Sequence, residues 1–180
     1  MHGIVLKGLK DFVVEQYDHE TWRTLRRNAG IEMKMYVPVS EYPDEEVVAL
    51  VETAVEMTGI EAPDLLAAFG EFLVPRLVET YGVHVEEDWT GLELIANVET
   101  YIHEALRAKN LSEFTPPELT SEWVDDDRVS ITYASDREFC HLAKGLVRGI
   151  AEYYDEQLSL EEPVCMLEGG PHCELVVTRA

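Results

Sequence analysis

The nine residues Val129-Ser130-Ile131-Thr132-Tyr133-Ala134-Ser135-Asp136-Arg137 decide how this chain is read. Val129, Ile131 and Tyr133 alternate with Ser130 and Thr132, the period of a strand with one buried face. If the extended conformation runs on, Tyr133, Ser135 and Arg137 share a face at i, i+2 and i+4. All three donate hydrogen bonds, and a guanidinium grips a carboxylate or phosphate with two at once. The chain carries 36 Asp and Glu against 14 Lys and Arg. Three donors clustered in so acidic a background point to a bound anion. Taken singly, each is an ordinary polar residue at a strand end, with Arg137 paired to one of many acids.

Outward from this strand, residues 139–154 read as a helix. Residues 158–160 and 174–178 read as further strands, with the turn Glu168-Gly169-Gly170-Pro171 between them. The N-terminal half is helical instead. Residues 4–28 carry Val5, Leu9, Phe12 and Val13 at helical spacing, then Trp22 and Leu25 after Tyr17-Asp18, and Gly30 is a stop. Val47, Leu50, Val51, Ala54 and Val55 stripe a helix that starts among the acids before Glu46 and ends at Gly59. Ala62-Pro63-Asp64 opens another, with Leu66, Phe69, Leu73, Leu77 and Val78 inward and a kink or break expected at Pro75. Residues 91–109 form an amphipathic helix, and Phe114-Thr115-Pro116-Pro117 ends helical structure. The predicted class is α+β: a helical N-terminal part, then an antiparallel sheet of about four strands packed with helices.

Composition narrows the partners. At 180 residues and 46% hydrophobic, the chain is one ordinary domain with a sizeable core. A formal net charge of -22 repels nucleic acid and anionic membrane, so both are set aside as partners. The start lacks a basic segment followed by a long apolar run, and no stretch approaches the roughly 20 apolar residues of a membrane span. A cytoplasmic location is the default expectation. Three cysteines argue for thiol or metal chemistry rather than a secreted disulfide framework.

His103 borders the apolar stripe Leu92, Ile95, Ile102 and Leu106 of its helix. Periodicity alone favours a histidine at a surface edge. The functional reading is an inward ligand; one histidine without a neighbouring second ligand suits an axial haem ligand better than zinc, which takes three or four protein ligands. Haem would also supply the anion, since its two propionates suit Tyr133, Ser135 and Arg137. Cys140, Cys165 and Cys173 form a second group, with Glu162 or His172 as a fourth zinc ligand. Buried structural thiols and a redox pair remain equally open readings. No G-x-S-x-G, H-E-x-x-H or Gly-rich phosphate loop is present, which gives an enzyme reading no foothold.

Over essentially its whole length the sequence resembles the haem nitric-oxide/oxygen-binding (H-NOX) domain, related to the haem domain of soluble guanylate cyclase. The resemblance rests on the opening Met1-His2-Gly3-Ile4-Val5 and on Asp64 to Gly70 followed by Glu71-Phe72. It rests also on His103 at the proximal ligand position and on Tyr133, Ser135 and Arg137 as the Y-x-S-x-R propionate motif. It implies a single haem b domain with a distal helical subdomain over 1–62 and a proximal one over 63–180. It implies that Pro117, with Pro116 the alternative, packs on the haem. Val5, Leu73, Leu77, Leu142 and Leu146 would line the pocket, and Gly145 would let its helix approach.

Oxygen-binding members carry a distal tyrosine nine residues after the motif tyrosine; that position is Leu142 here, and the supporting polar positions resemble Leu9 and Leu73. The expected ligand is therefore nitric oxide, with carbon monoxide binding also and oxygen excluded. The resemblance implies a non-catalytic gas sensor: nitric oxide weakens the bond from His103 to the iron, the two halves rotate, and a histidine kinase or diguanylate cyclase receives the signal in trans. A zinc-carrying subset of the family places cysteines like Cys140, Cys165 and Cys173, with histidine where Glu162 stands. The competing expectation is a haem-free zinc or thiol scaffold of similar fold that senses redox state or docks a partner.

Overall fold

The computed structural model describes residues 1–104 and 117–180. The expected helix continuation past 104, including Leu106, and the segment Phe114-Thr115-Pro116 lie outside the described residues. The helical run over 4–28 is two helices, α1 (Gly3–Gln16) and α2 (His19–Asn28). They separate at Asp18, whose extended backbone and side-chain bond from the Thr21 N–H (2.7 Å) cap the start of α2. Helix α3 (Asp44–Thr58) opens on three acids, which its N-terminal dipole favours, and ends on left-handed Gly59. Helix α4 (Ala62–Tyr81) runs through Pro75, so of the kink or break expected there the break does not occur. Proline removes one helical donor, but α4 is packed along the later helix α6 (Cys140–Tyr153), and that packing outweighs the lost bond. Helix α5 (Gly91–Asn97) is fixed by a capping box in which Thr90 and Glu93 satisfy each other's backbone N–H groups. It passes directly into a π-helical turn, Val98–His103.

The sheet has four antiparallel strands, β1 (Glu118–Asp125), β2 (Arg128–Ala134), β3 (Leu158–Val164) and β4 (Cys173–Arg179), in the order β1-β2-β4-β3. Strand β1 is the one not read individually from the sequence. Its side chains are mostly exposed, so the burial alternation that reveals a strand is weak there. In the centre, Val129, Ile131 and Tyr133 of β2 stand opposite Val177, Leu175 and Cys173 of β4. Their buried face packs on Leu92 and Ile95 of α5 and on Val147 and Ile150 of α6. A second apolar cluster joins Leu6, Leu9 and Leu25 to Val47, Leu50, Phe69 and Leu73. Helices α4 and α6 connect the two clusters, crossing so closely that a Cβ on Gly145 would lie 2.1 Å from the Ala67 carbonyl oxygen. Among the described residues, no helix is long and apolar enough to cross a membrane.

Candidate functional site

Between the two clusters lies a cavity with a largely aliphatic lining. Val5 of α1, Leu73 and Leu77 of α4, and Leu142 and Leu146 of α6 all face it. The same cavity is lined by His103, Pro117, Tyr133, Ser135 and Arg137. Folding therefore gathers residues spread over more than a hundred positions around one space. Leu9 packs in the helical cluster instead.

The three donors reach the cavity by a route different from the one the strand pattern implies. Only Tyr133 belongs to β2, which ends at Ala134. Ser135 to Glu138 form a turn, closed by the Glu138 N–H donating to the Ser135 carbonyl (2.9 Å) and the Arg137 N–H donating to Ser135 Oγ (3.3 Å). Glu138 takes a positive φ of 56°. The turn, rather than continued pleating, brings Arg137 back to the cavity. Burial pushes the Tyr133 phenol upward, so it stays a neutral donor.

Arg137 Nε lies 2.8 Å from Oδ2 of Asp44, the first residue of α3. The Met1 amino group donates to the other oxygen of the same carboxylate. Burial alone would raise the Asp44 carboxyl, but the bonds from Arg137 and from the amino group outweigh it and hold it below the usual carboxylate range. A second, more polar cavity, bounded by Tyr42, Asp44 and Glu118, also has Ser135 and Arg137 in its wall. Ser135 and Arg137 thus stand where an aliphatic cavity meets a polar one, with Tyr133 on the aliphatic side. An apolar ring with carboxylates on one edge matches that arrangement.

His103 ends the π-helical turn with its side chain 16% exposed, and its Nδ1 lies 2.9 Å from Glu99 Oε2. Tertiary packing overrides the surface-edge placement that periodicity favours. Among the described residues, three further polar residues line the cavity that the sequence reading missed: His2, Tyr81 and Ser121. His2 is 3% exposed, and its Nδ1 lies 3.5 Å from the Tyr81 hydroxyl. Burial lowers the His2 pKa and raises that of Tyr81, keeping both neutral. A signal for Tyr81 existed, since it continues the Leu73 and Leu77 spacing by one more helical turn. His2 precedes α1 and carries no such pattern.

The thiols gather outside this cavity. One ligand atom from each of Cys140, Glu162, Cys165 and Cys173 lies within 4.8 Å of the others; His172 is not in this group. Cys165 and Cys173 sulfurs are 4.0 Å apart, as free thiols. A tetrahedral zinc site with bonds of about 2.3 Å has sulfur–sulfur edges of about 3.8 Å. Glu162 joins the cluster at a register irregularity of edge strand β3, between Glu161 and Val164, where Pro163 is tolerated. Its carboxylate pairs with Lys144. Burial, then the neighbouring Cys173, pushes the Cys140 thiol up to about 12, and burial raises Cys173 also.

Comparison with solved structures places the fold beyond doubt. The chain is similar to an H-NOX protein from S. oneidensis in the Fe(II)NO ligation state (TM-score 0.92, 24% identity, 100% of this chain and 99% of that one). It is similar also to the H-NOX domain from Shewanella oneidensis in the Fe(II)CO state (TM-score 0.88, 24% identity, 100% of this chain and 99% of that one). A variant of T. tengcongensis H-NOX matches at TM-score 0.87 and 18% identity over 99% of this chain and 97% of that one. At these identities the likeness concerns the fold. Comparison with curated protein sequences gives no match. The family model described as Haem-NO-binding matches residues 2–162, nearly the whole chain, and the chain therefore belongs to the Haem-NO-binding family, the H-NOX domains, which bind haem and sense gases rather than catalyse reactions.

Proposed function

We propose that this chain binds haem b in the aliphatic cavity, senses nitric oxide there, and passes the signal to a separate protein. The observation that carries this reading is that His103 and the three donors line one cavity, with Ser135 and Arg137 at its polar boundary. When bound, haem supplies the iron to which a diatomic gas coordinates. His103 holds that iron from the π-helical turn. Tyr133, Ser135 and Arg137 would donate to the propionates, and Pro117 would pack on the ring. Val5, Leu73, Leu77, Leu142 and Leu146 exclude water from it.

Ligand choice follows from what those residues lack. Leu142 and Leu73 offer no hydroxyl to a bound oxygen, and the Tyr81 hydroxyl shares its contact with His2. Nitric oxide, and carbon monoxide with it, needs no such donor. Release of His103 would let the Val98–His103 turn relax, and the parts over 1–62 and 63–180 would then change their relative orientation. A histidine kinase or diguanylate cyclase in trans is the receiver this reading favours, in the cytoplasm.

Absorption spectra of the haem-reconstituted ferrous protein test the reading. A strong Soret band that shifts with nitric oxide and carbon monoxide but not with oxygen is expected. Its absence, or a stable oxygen complex, would overturn the reading. His103→Gly should abolish iron ligation by the protein. The cysteine cluster is read as a zinc site of three thiolates and Glu162, separate from the haem.

A further inference from the structure

The pair Glu99–His103 does something the site residues named so far do not. Its two side chains are one turn apart and mostly shielded, at 22% and 16% exposure, with 2.9 Å between Oε2 and Nδ1. On an open helix surface, such an i, i+4 pair is weak and fixes nothing. Here the imidazole lines the cavity, and its Nδ1 edge is the one the carboxylate takes. An Nδ1–H donated to a carboxylate makes Nε2 the lone-pair nitrogen, which is the tautomer an iron ligand needs. The same turn holds Glu99 at its backbone, since its carbonyl accepts the Glu104 N–H in the widened π pattern. Single π turns of this kind cluster at functional sites.

We infer that Glu99 is a positioning residue for iron ligation: its carboxylate fixes the tautomer and orientation of His103 and makes the imidazole a stronger donor to haem iron. The inference rests on haem ligation by His103. Its consequence is a threshold. A carboxylate-supported imidazole would resist the weakening that a bound gas imposes, so Glu99 would set how readily His103 lets go. A chain with an uncharged residue at this position would release its histidine more completely at the same occupancy of nitric oxide.

The test uses the haem-loaded full chain with Glu99→Gln, Glu99→Ala and Glu99→Asp. Resonance Raman spectra give the iron–histidine stretch, the Soret maximum of the nitric oxide complex reports five- against six-coordination, and redox titration gives the iron midpoint potential. Glu99→Gln and Glu99→Ala are expected to load haem, lower the iron–histidine frequency, raise the potential and shift the nitric oxide complex toward five-coordination. Glu99→Asp, which keeps the charge but shortens the reach, should fall between. Unchanged frequency and potential in haem-loaded Glu99→Gln and Glu99→Ala would overturn the inference while leaving haem ligation by His103 intact. A native protein that takes up haem but shows no iron–histidine band would instead overturn the assignment of His103, and the inference with it.

Discussion

Arg137 Nε stands 2.8 Å from Asp44 Oδ2, so the first residue of α3 holds the guanidinium that the turn after β2 delivers. Arg137 is mostly shielded (15% exposed) while Asp44 is 40% exposed. The acid therefore sits on the polar side of the pair, where a haem carboxylate would also arrive. The two anions would compete for one guanidinium.

That competition has a direction. Arg137→Ala removes charged hydrogen bonds worth roughly 1.5–3 kcal/mol to a carboxylate, so haem loss should quicken about 10–100-fold. Asp44→Asn removes a competing negative charge from a half-exposed position, where an ion pair is worth about 0–1 kcal/mol, and should slow haem loss by up to about fivefold. Transfer of haem to an excess of apomyoglobin measures both rates.

Leu142→Tyr places a hydroxyl on the wall of the cavity. One hydrogen bond worth about 1.4 kcal/mol would lengthen the life of a ferrous oxygen complex about tenfold. Stopped-flow spectra after mixing with oxygen check this, with unaltered decay as the contrary result.

Zinc binding is read by metal analysis of protein kept reduced and free of chelators, with one zinc per chain expected. Cys173→Ser should remove it. Glu162→His should keep it and weaken its loss to a chelator, since imidazole replaces a carboxylate that Lys144 also engages.

The raised thiols make the metal-free protein sensitive to alkali. Cys140 moves from an ordinary 9.0 to about 12 in the fold. Between those values the folded chain holds a proton that the unfolded chain has lost, so stability falls as pH rises. Denaturant midpoints should be level below pH 9 and decline from there toward pH 12. Zinc-loaded protein, whose thiolates are already ionised, should not follow that curve.

Gly145→Ala would drive a Cβ to 2.1 Å from the Ala67 carbonyl oxygen, on a backbone that cannot step aside cheaply. Overpacking of this kind costs about 1–3 kcal/mol. For a chain of this length the melting temperature should drop by about 2–4 °C per kcal/mol. Calorimetry of the two proteins decides it.

Much of the fold was legible because apolar spacing is a local property. Leu66, Phe69 and Leu73 mark one face of α4, and Val129, Ile131 and Tyr133 mark one face of β2. Where burial is weak the pattern fades, which is why β1 escaped notice. Pro75 is a case where local cost leaves a kink or a break open, and packing along α6 keeps the helix continuous. At the site, His103 looked like a surface-edge residue by spacing, and Tyr81 and His2 were not singled out at all. Their burial depends on elements far away in the chain.

By itself, the sequence determined the residue types that could meet a haem: a histidine, a three-donor cluster, prolines and a set of leucines, in an order that resembles one family. It also determined most of the surrounding helices and the strand that carries Tyr133, since periodicity and capping act within a few residues. Only the tertiary structure decided which of them face one cavity. It decided that a turn rather than a strand delivers Arg137, that Asp44 holds it, and that Glu99 stands behind His103. It also decided that three thiols and Glu162 converge. Hydrogen-bond partners and pKa values depend on distances across the fold, and no local pattern encodes those distances.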